Sequence, residues 1–284
     1  MTVSHDSAAE LRALLDSVER RLPGTRVVIA DSGSADGSRE LATIDMGANV
    51  GYGRGVNAAI RQVQEPVTVV VNPDVELIDD SLSRLAEELL RPGAPERLLA
   101  PVVQRPDGSR QDSVQLEPAS APLMLSALVP PAALPGPLRR AVEPWRSETP
   151  RRVGWAVGCC VAGRTETLLR LGPFDESIFL YGEDLELGLR ARDEGVETWF
   201  WPDARIVHHG AHSTERSFGG EAFELLARQR REVVARRRGA RRARLDDVQQ
   251  AVTFADRIAL KRLMRRRADR ERAQLAALRR ARRG

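Results

Sequence analysis

The sequence predicts an α/β fold, a mixed sheet flanked by helices, followed by a basic helical tail, and three observations carry that prediction. Apolar runs of strand length (TRVVIAD at 25–31, PVTVVVNPD at 66–74, RLLAPVV at 97–103) alternate with stretches whose leucines and alanines recur at helical spacing. Two of these runs end on an aspartate, Asp31 and Asp74. Sheets of this kind bind ligands at such positions, because the loops at the strand ends open a crevice. The third observation is a charge split. Residues 228–284 hold 21 of the 44 basic residues and 6 of the 40 acidic ones, leaving 23 basic against 34 acidic before them. An acidic body and a basic tail argue for two parts with different partners.

The length of 284 residues suits one α/β domain with an appendage, and a hydrophobic share of 42% is enough for an ordinary core. No run approaches the roughly 18 apolar residues of a membrane span, and the N-terminus lacks the apolar block of a signal peptide, so a cytosolic chain is expected. Cys159 and Cys160 are adjacent, which suits neither a structural disulfide nor a four-ligand zinc site. They read as small buried strand residues.

In chain order, MTVSHDS reads as the end of a first strand. Ser7 and Glu10 then form a capping box before Leu11, Leu14, Leu15, Val18 and Leu22, and Pro23-Gly24 closes the helix. The next strand ends at Asp31, a candidate contact to a base or ribose, and passes into the turn-rich SGSADGS. GANVGYGRGVNAAIRQV reads as a glycine-rich loop entering a helix near Asn57. Gly53 and its neighbours would let backbone amides approach a phosphate, and Arg54 would add charge. Within it, GRGVNA fits the dinucleotide pattern G-x-G-x-x-A only weakly, because IDMGANV is too short and polar for the strand that pattern requires. A loop without a ligand is the alternative.

Pro73 stops the next strand and presents Asp74, which can bind a hard divalent ion that also holds substrate phosphates. Asp79, Asp80 and Ser81 supply caps for the helix through Leu82, Leu85 and Leu89. After RLLAPVV and the turn RPDGS, the proline- and alanine-rich stretch 117–150 reads as a long loop or lid. VGWAVGCCVAG is a strand and 165–171 a helix. GPFDESIFLYGEDLELGLRARDEG then sets Glu183 and Asp184 in the first turn of a helix carrying Leu185, Leu189 and Ala191. The positive end of the helix dipole favours ionised carboxylates, so the pair is a candidate for base or metal chemistry, the alternative being an ordinary acidic helix start. VETWFWPDARIVHHGAHST supplies a strand, a stop at Pro202 and three histidines, His208, His209 and His212. Side chains alternate on extended chain, so one of His208 and His209 can face the site.

Taken together, VVIADSGSADGS, NVGYGRGVNAAI, VNPDVEL, the run from Gly154 to Gly195 and the closing histidine segment resemble the inverting family 2 glycosyltransferases. Within these, the chain is most similar to a rhamnosyltransferase-like branch that builds actinobacterial cell-wall linkers and bacterial surface polysaccharides. The likeness is colinear over about residues 2–214. It implies the GT-A nucleotide-diphospho-sugar transferase fold, a Rossmann-like mixed sheet, over 1–213, with 214–284 as a basic helical extension. It also implies roles. Asp31 would contact the nucleotide base. Gly53, Arg54 and Asn57 would serve the nucleotide and diphosphate. Asn72-Pro73-Asp74 would replace a metal-binding D-x-D element holding Mg²⁺ or Mn²⁺, with His209 a further metal or diphosphate contact. Asp184 would be the catalytic base and Glu183 its support. The expected reaction moves a sugar, L-rhamnose from dTDP-rhamnose in the first place, to a lipid-linked or polysaccharide acceptor in cell-envelope glycan synthesis. Galactofuranose, GlcNAc or another hexose is the alternative sugar, and a catalytically silent GT-A-like membrane-associated protein the alternative role. A dinucleotide-dependent oxidoreductase rests on GRGVNA alone.

Two positions depart from the family pattern. The first strand is about three residues long where the family has a longer one, which implies a start upstream or an incomplete central strand. Glu186 stands where the family often has Asp, a replacement expected to be tolerated.

In the tail, 223–234 and 245–263 read as helices, the second with Leu245, Val248, Val252, Ala255, Ala259 and Leu263 at spacings of three or four, and KRLMRRRADRERAQLAALRRARRG as a cationic end. Such a tail can bind an anionic lipid surface or a lipid diphosphate, bind nucleic acid, or be a solvated end. With a polyprenyl-linked acceptor the membrane is the expected partner, at the inner face of the plasma membrane, and no nucleic acid is expected.

Overall fold

The computed structural model describes residues 1–210 and 222–282, so His212 lies outside the described residues. Strands β1 (Thr2–Ser4), β2 (Ile29–Asp31) and β3 (Ile44–Asp45) pair in parallel. Beside them, β4 (Val67–Val71) pairs antiparallel with β10 (Cys160–Arg164), β10 with β6 (Arg97–Gln104), and β6 in parallel with β11 (Glu197–His208). Two short strands, β5 (Val75–Glu76) and β8 (Arg151–Val153), flank β11, while β7 (Val114–Gln115) and β9 (Trp155–Ala156) form a separate ribbon. Val71 N–H donates to the Met1 carbonyl at 3.0 Å and the Met1 amine to the Val69 carbonyl at 2.7 Å, which lays β1 against β4 and joins the two sheets.

Helices cover both faces of this sheet. On one, α1 (Ala8–Arg21) and α3 (Leu82–Leu90) bury Leu11, Leu14, Leu85 and Leu89 against Ile29, Leu99 and Ile206. On the other, α2 (Tyr52–Ile60), α6 (Thr165–Leu171) and α7 (Glu183–Asp193) bury Val56, Ile60, Leu168 and Leu187 against Ala30, Val161 and Phe200. The buried pair Cys159 and Cys160 sits at the start of β10, as the sequence suggested.

Four local expectations are corrected. The N-terminus of α1 is not closed by a capping box: Ala8 N–H donates to Asp36 Oδ2 at 2.8 Å, while the Ser7 hydroxyl bonds Ser4 Oγ at 3.2 Å. A partner 28 residues away supplies the cap in place of Ser7. The GYGRG run is not a loop but the first turns of α2, and its glycines serve packing. A Cβ on Gly55 would stand 2.7 Å from Val3 Cγ1, so glycine is what lets this helix press on β1.

Residues 117–150 are not a structureless lid. They contain α4 (Ala121–Leu128) and α5 (Gly136–Val142), both with proline in the first turn, where its missing N–H costs nothing. Nor does Pro202 stop its strand. β11 runs on to His208 through an irregularity between Trp201 and Arg205, the place where a sheet tolerates a residue that cannot donate.

The tail folds back onto the body. It forms α8 (Phe223–Arg238), α9 (Ala240–Leu263) and α10 (Asp269–Ala281), the last of them within the cationic end. Val233, Val234 and Ala243 share a core with Trp155, Ile178, Leu185 and Leu189. Acids of the body meet tail arginines: Asp175 takes Arg236 at 2.8 Å, buried Glu186 takes Arg237, and Glu117 and Asp193 take Arg238 at 2.7 and 2.8 Å. Part of the charge split in the sequence is therefore an internal docking code.

Candidate active site

A cavity of about 450 Å³ opens where β1 and β4 end and α7 begins. His5, Ser32 and Asn49 line one side, Asn72, Asp74 and His208 the floor beyond β4, and Tyr181, Glu183 and Asp184 the side toward α7. Tyr181 has φ +66° and Gly182 φ +93°, a sharp left-handed turn that delivers the acidic pair to the cavity at the first turn of α7.

The two carboxylates are set apart by their donors. Asp184 Oδ2 accepts from Gly158 N–H at 3.1 Å and Oδ1 from Leu185 N–H at 2.7 Å, whereas Glu183 Oε2 is buried without a hydrogen-bond partner. Burial, then the charge of Asp184, pushes the Glu183 carboxyl up to about 8. Burial also raises Asp184, opposed by the Gly158 and Leu185 N–H groups and by Arg230. Desolvation thus outweighs the helix dipole that the sequence reading relied on. The donors at Asp184 favour its ionised form over that of Glu183.

At the other side, Asp74 Oδ1 lies 3.2 Å from His208 Nε2. His208 Nδ1 is 3.1 Å from Gln111 Oε1 on the ring's other side. That Nε2 is buried and has no hydrogen-bond partner. Asp74 and His208 thus place a carboxylate oxygen and a ring nitrogen side by side at the cavity.

Of the residues singled out from sequence, Asn72, Asp74, Glu183 and Asp184 line this cavity. Asp31 lies fully buried beneath it, accepting from Ser34 N–H at 2.9 Å and Ser34 Oγ at 2.5 Å, while its neighbour Ser32 reaches the surface of the cavity. Gly53, Arg54 and Asn57 lie outside it, within α2. Asn57 instead clamps the chain entering the acidic stretch, donating to the Phe174 carbonyl at 2.8 Å and accepting its N–H at 3.0 Å, and exposed Arg54 is 3.9 Å from Glu176. His209 is also displaced from its expected place. It points to the opposite side of β11 from His208, pairing with Glu76 at 2.9 Å, so the alternation that admits one histidine selects His208.

The sequence reading missed His5, Asn49 and Tyr52. His5 Nδ1 meets the Ser32 carbonyl at 2.8 Å and Nε2 the Asn49 amide at 3.1 Å, and Tyr52 donates to the Gly158 carbonyl at 3.3 Å. His5 carried the same signal as Asp31 and Asp74, a polar residue at or just past a strand end.

A mixed sheet between two helical layers, with an acidic pair and the Asp74–His208 pair sharing one crevice at the strand ends, has the architecture of the GT-A glycosyltransferases. A family model described as Glycosyl transferase family 2 matches residues 1–111. Over 213 residues the chain is 34% identical to the N-acetylglucosaminyl-diphospho-decaprenol L-rhamnosyltransferase of Mycobacterium tuberculosis H37Rv, covering 67% of this chain and 68% of that one. It is 33% identical over 86 residues to the Rhamnosyltransferase WbbL of Escherichia coli K12, covering 30% and 32%. Among solved structures, the mannosyltransferase PcManGT from Pyrobaculum calidifontis in complex with GDP-Man and Mn²⁺ superposes with a TM-score of 0.60 at 14% identity, covering 99% of this chain and 84% of that chain. GalNAc-T7 with UDP, GalNAc and Mn²⁺ superposes with a TM-score of 0.58 at 15% identity, and the match spans 82% of this chain but 46% of GalNAc-T7. At such identities the superpositions establish the fold. The chain belongs to the family 2 glycosyltransferases, in its rhamnosyltransferase-like branch.

Proposed function

We propose that this protein transfers L-rhamnose from dTDP-rhamnose, with inversion, to a lipid-linked acceptor of cell-envelope glycan synthesis. The observation that carries the reading is the presence in one cavity of a base held by two backbone donors, Asp184, and of the Asp74–His208 pair. The relative named for L-rhamnosyl transfer to a decaprenyl-linked amino sugar supports the choice of sugar and acceptor. The catalytic body is taken as 1–213 and the extension as 214–284.

In this reading Asp184 accepts the proton of an acceptor hydroxyl as that oxygen attacks the anomeric carbon from the face opposite the departing dTDP. Backbone donors at both of its oxygens hold it in one orientation, so the proton is met by a fixed group. Protonated Glu183 keeps a second charge away from the base. Asp74 and His208 fit a divalent cation, Mg²⁺ or Mn²⁺. Mg²⁺ commonly uses one or two carboxylates and takes its remaining ligands from substrate phosphates and water. When bound, such an ion neutralises charge on the leaving diphosphate.

The experiment is release of dTDP from dTDP-rhamnose in the presence of farnesyl-diphosphate-linked N-acetylglucosamine, with Mg²⁺ or Mn²⁺. Chelation, or Asp74→Asn, is expected to lower turnover at least about 100-fold. Full turnover in the presence of chelator and in Asp74→Asn would remove the metal from the scheme, and no rhamnosyl product with either ion would remove the donor assignment.

The membrane surface is the proposed site of action. Among the described residues no helix is long and apolar enough to cross a membrane. At the turn between α9 and α10, however, Leu263 is 83% and Met264 50% exposed, with Arg262, Arg265, Arg266 and Arg267 exposed around them. An apolar tip ringed by cations suits shallow insertion into an anionic bilayer. Wild type is expected to float with phosphatidylglycerol vesicles and Leu263→Glu/Met264→Glu to remain in the dense fraction; equal partitioning of the two would reject the contact.

A further inference from the structure

Asp184 takes one of its two hydrogen bonds from a residue with little stiffness of its own. Gly158, whose N–H meets Asp184 Oδ2 at 3.1 Å, lies in the turn ahead of β10. Its neighbours are tied to other backbone: Val157 N–H donates to the Ser113 carbonyl at 2.8 Å, and the Cys159 carbonyl accepts from Asn72 N–H at 3.0 Å. Gly158 has no Cβ to restrict its dihedrals, so the direction of its N–H depends on what holds its carbonyl. Tyr52 holds it, with its hydroxyl donating to the Gly158 carbonyl at 3.3 Å. Burial raises the phenol well above its ordinary value, so the group stays protonated and able to donate.

The rest of Tyr52 is fixed to the acidic stretch itself. Its N–H donates to the Phe179 carbonyl at 3.2 Å, and its ring meets Phe174 edge to face, with centroids 5.7 Å apart. A Cβ on Gly51, the residue before it, would stand 2.6 Å from the Phe179 carbonyl oxygen, so glycine is what lets the start of α2 come this close. One residue therefore holds both the loop that leads to Glu183 and Asp184 and the turn that offers Asp184 a donor.

We infer that Tyr52 is a positioning residue for the transfer step: through Gly158 it fixes the backbone N–H that orients Asp184, a role that rests on Asp184 being the base. The same turn receives Asn72, two residues ahead of Asp74, so Tyr52 also braces the span between the base and the Asp74–His208 pair. The GYGRG run thus serves the site through its aromatic residue, while its glycines serve packing.

The test is a double-mutant cycle on the full chain, read by single-turnover rates with dTDP-rhamnose and farnesyl-diphosphate-linked N-acetylglucosamine, with donor KM measured alongside. Tyr52→Phe keeps the ring and its contact with Phe174 and removes the hydroxyl, so the variant is expected to fold as wild type does. Its rate is expected to fall about tenfold, the equivalent of one lost hydrogen bond, with donor KM within about a factor of two. In the Asp184→Asn background the same change is expected to cost less than about twofold, because a positioning residue loses its effect with the group it positions. A second readout needs no substrate. Hydrogen exchange at the Gly158 amide, followed by NMR of ¹⁵N-glycine-labelled protein, is expected to speed up about tenfold in Tyr52→Phe. Unchanged exchange, a raised donor KM at an unchanged rate, or a tenfold cost in both backgrounds would each overturn the role of Tyr52, while a large loss in Asp184→Asn would leave the base in place. An Asp184→Asn rate within about tenfold of wild type would instead remove the base, and the catalytic use of Tyr52 with it.

Discussion

Asp184→Asn is expected to lower transfer by about 10³-fold, with dTDP affinity within a factor of two of wild type. The substitution preserves shape, and an amide oxygen can still accept from Gly158 or Leu185, so the loop and the start of α7 keep their positions. What is lost is the group that takes the proton. Glu183 shares the cavity but cannot fully replace it, because it lacks the two backbone donors that hold Asp184 as a carboxylate. Single-turnover rates with saturating donor isolate the chemical step, and a variant within tenfold of wild type would move the base elsewhere.

The same pair makes a pH prediction of known sign. The folded Glu183 carboxyl, at about 8, lies above its ordinary value of 4.5, so its contribution is complete below pH 4.5 and is lost as pH rises through 8. Over that window the folded chain holds a proton that the unfolded chain has released. Glu183→Gln, similar in shape and permanently neutral, is therefore expected to melt progressively higher than wild type as pH is raised from about 5 to about 8.5. A constant difference across the window would mean that Glu183 is ionised in the folded protein throughout.

How far these groups could be read from sequence depends on what fixes them. Asp74 and Asp184 were legible because each follows its own local signal, a proline that ends a strand and an acidic helix start. The separation of Glu183 from Asp184 was not legible in physical terms, since it depends on Gly158, a residue 26 positions away in sequence, and on burial beneath α8. His208 and His209 show the limit of the alternation argument. It allows one of the two, and which one depends on the register of β11, shifted by the irregularity after Trp201. GYGRG misled for a related reason, because glycine spacing looks the same whether a backbone must approach a phosphate or, as Gly55 does, a valine. The strands and most helices were legible since their periodicity is local. The two helices within 117–150 were hidden by prolines read as breakers that sit in first turns.

Glu186→Ala is expected to cost about 3–5 kcal/mol of stability, the penalty for breaking a buried ion pair from one side, and to lower the melting temperature by about 10 °C. The sequence presents Glu186 as a tolerated exchange for aspartate, but the structure gives it a heavier role. It is fully buried, accepts from Arg190 at 2.9 and 3.1 Å and also takes Arg237, so one carboxylate holds α7 to itself and to α8. Removing it leaves two guanidinium groups, 12% and 28% exposed, facing a space without an anion. Glu186→Asp retains the charge but is one methylene shorter, and a smaller loss is expected. The effect should reach the catalytic pair, because α8 is what covers it: a Cβ on Gly182 would stand 3.3 Å from Gln229, so α8 packs directly on the turn that delivers Glu183. Loosening α8 readmits water to Glu183 and lowers its pKa toward the ordinary value. Glu186→Ala is thus expected to show two linked changes, faster proteolysis between α7 and α9 and a flatter dependence of melting temperature on pH between about 5 and about 8.5. A destabilised variant that keeps the wild-type slope would separate the docking of α8 from the environment of the base.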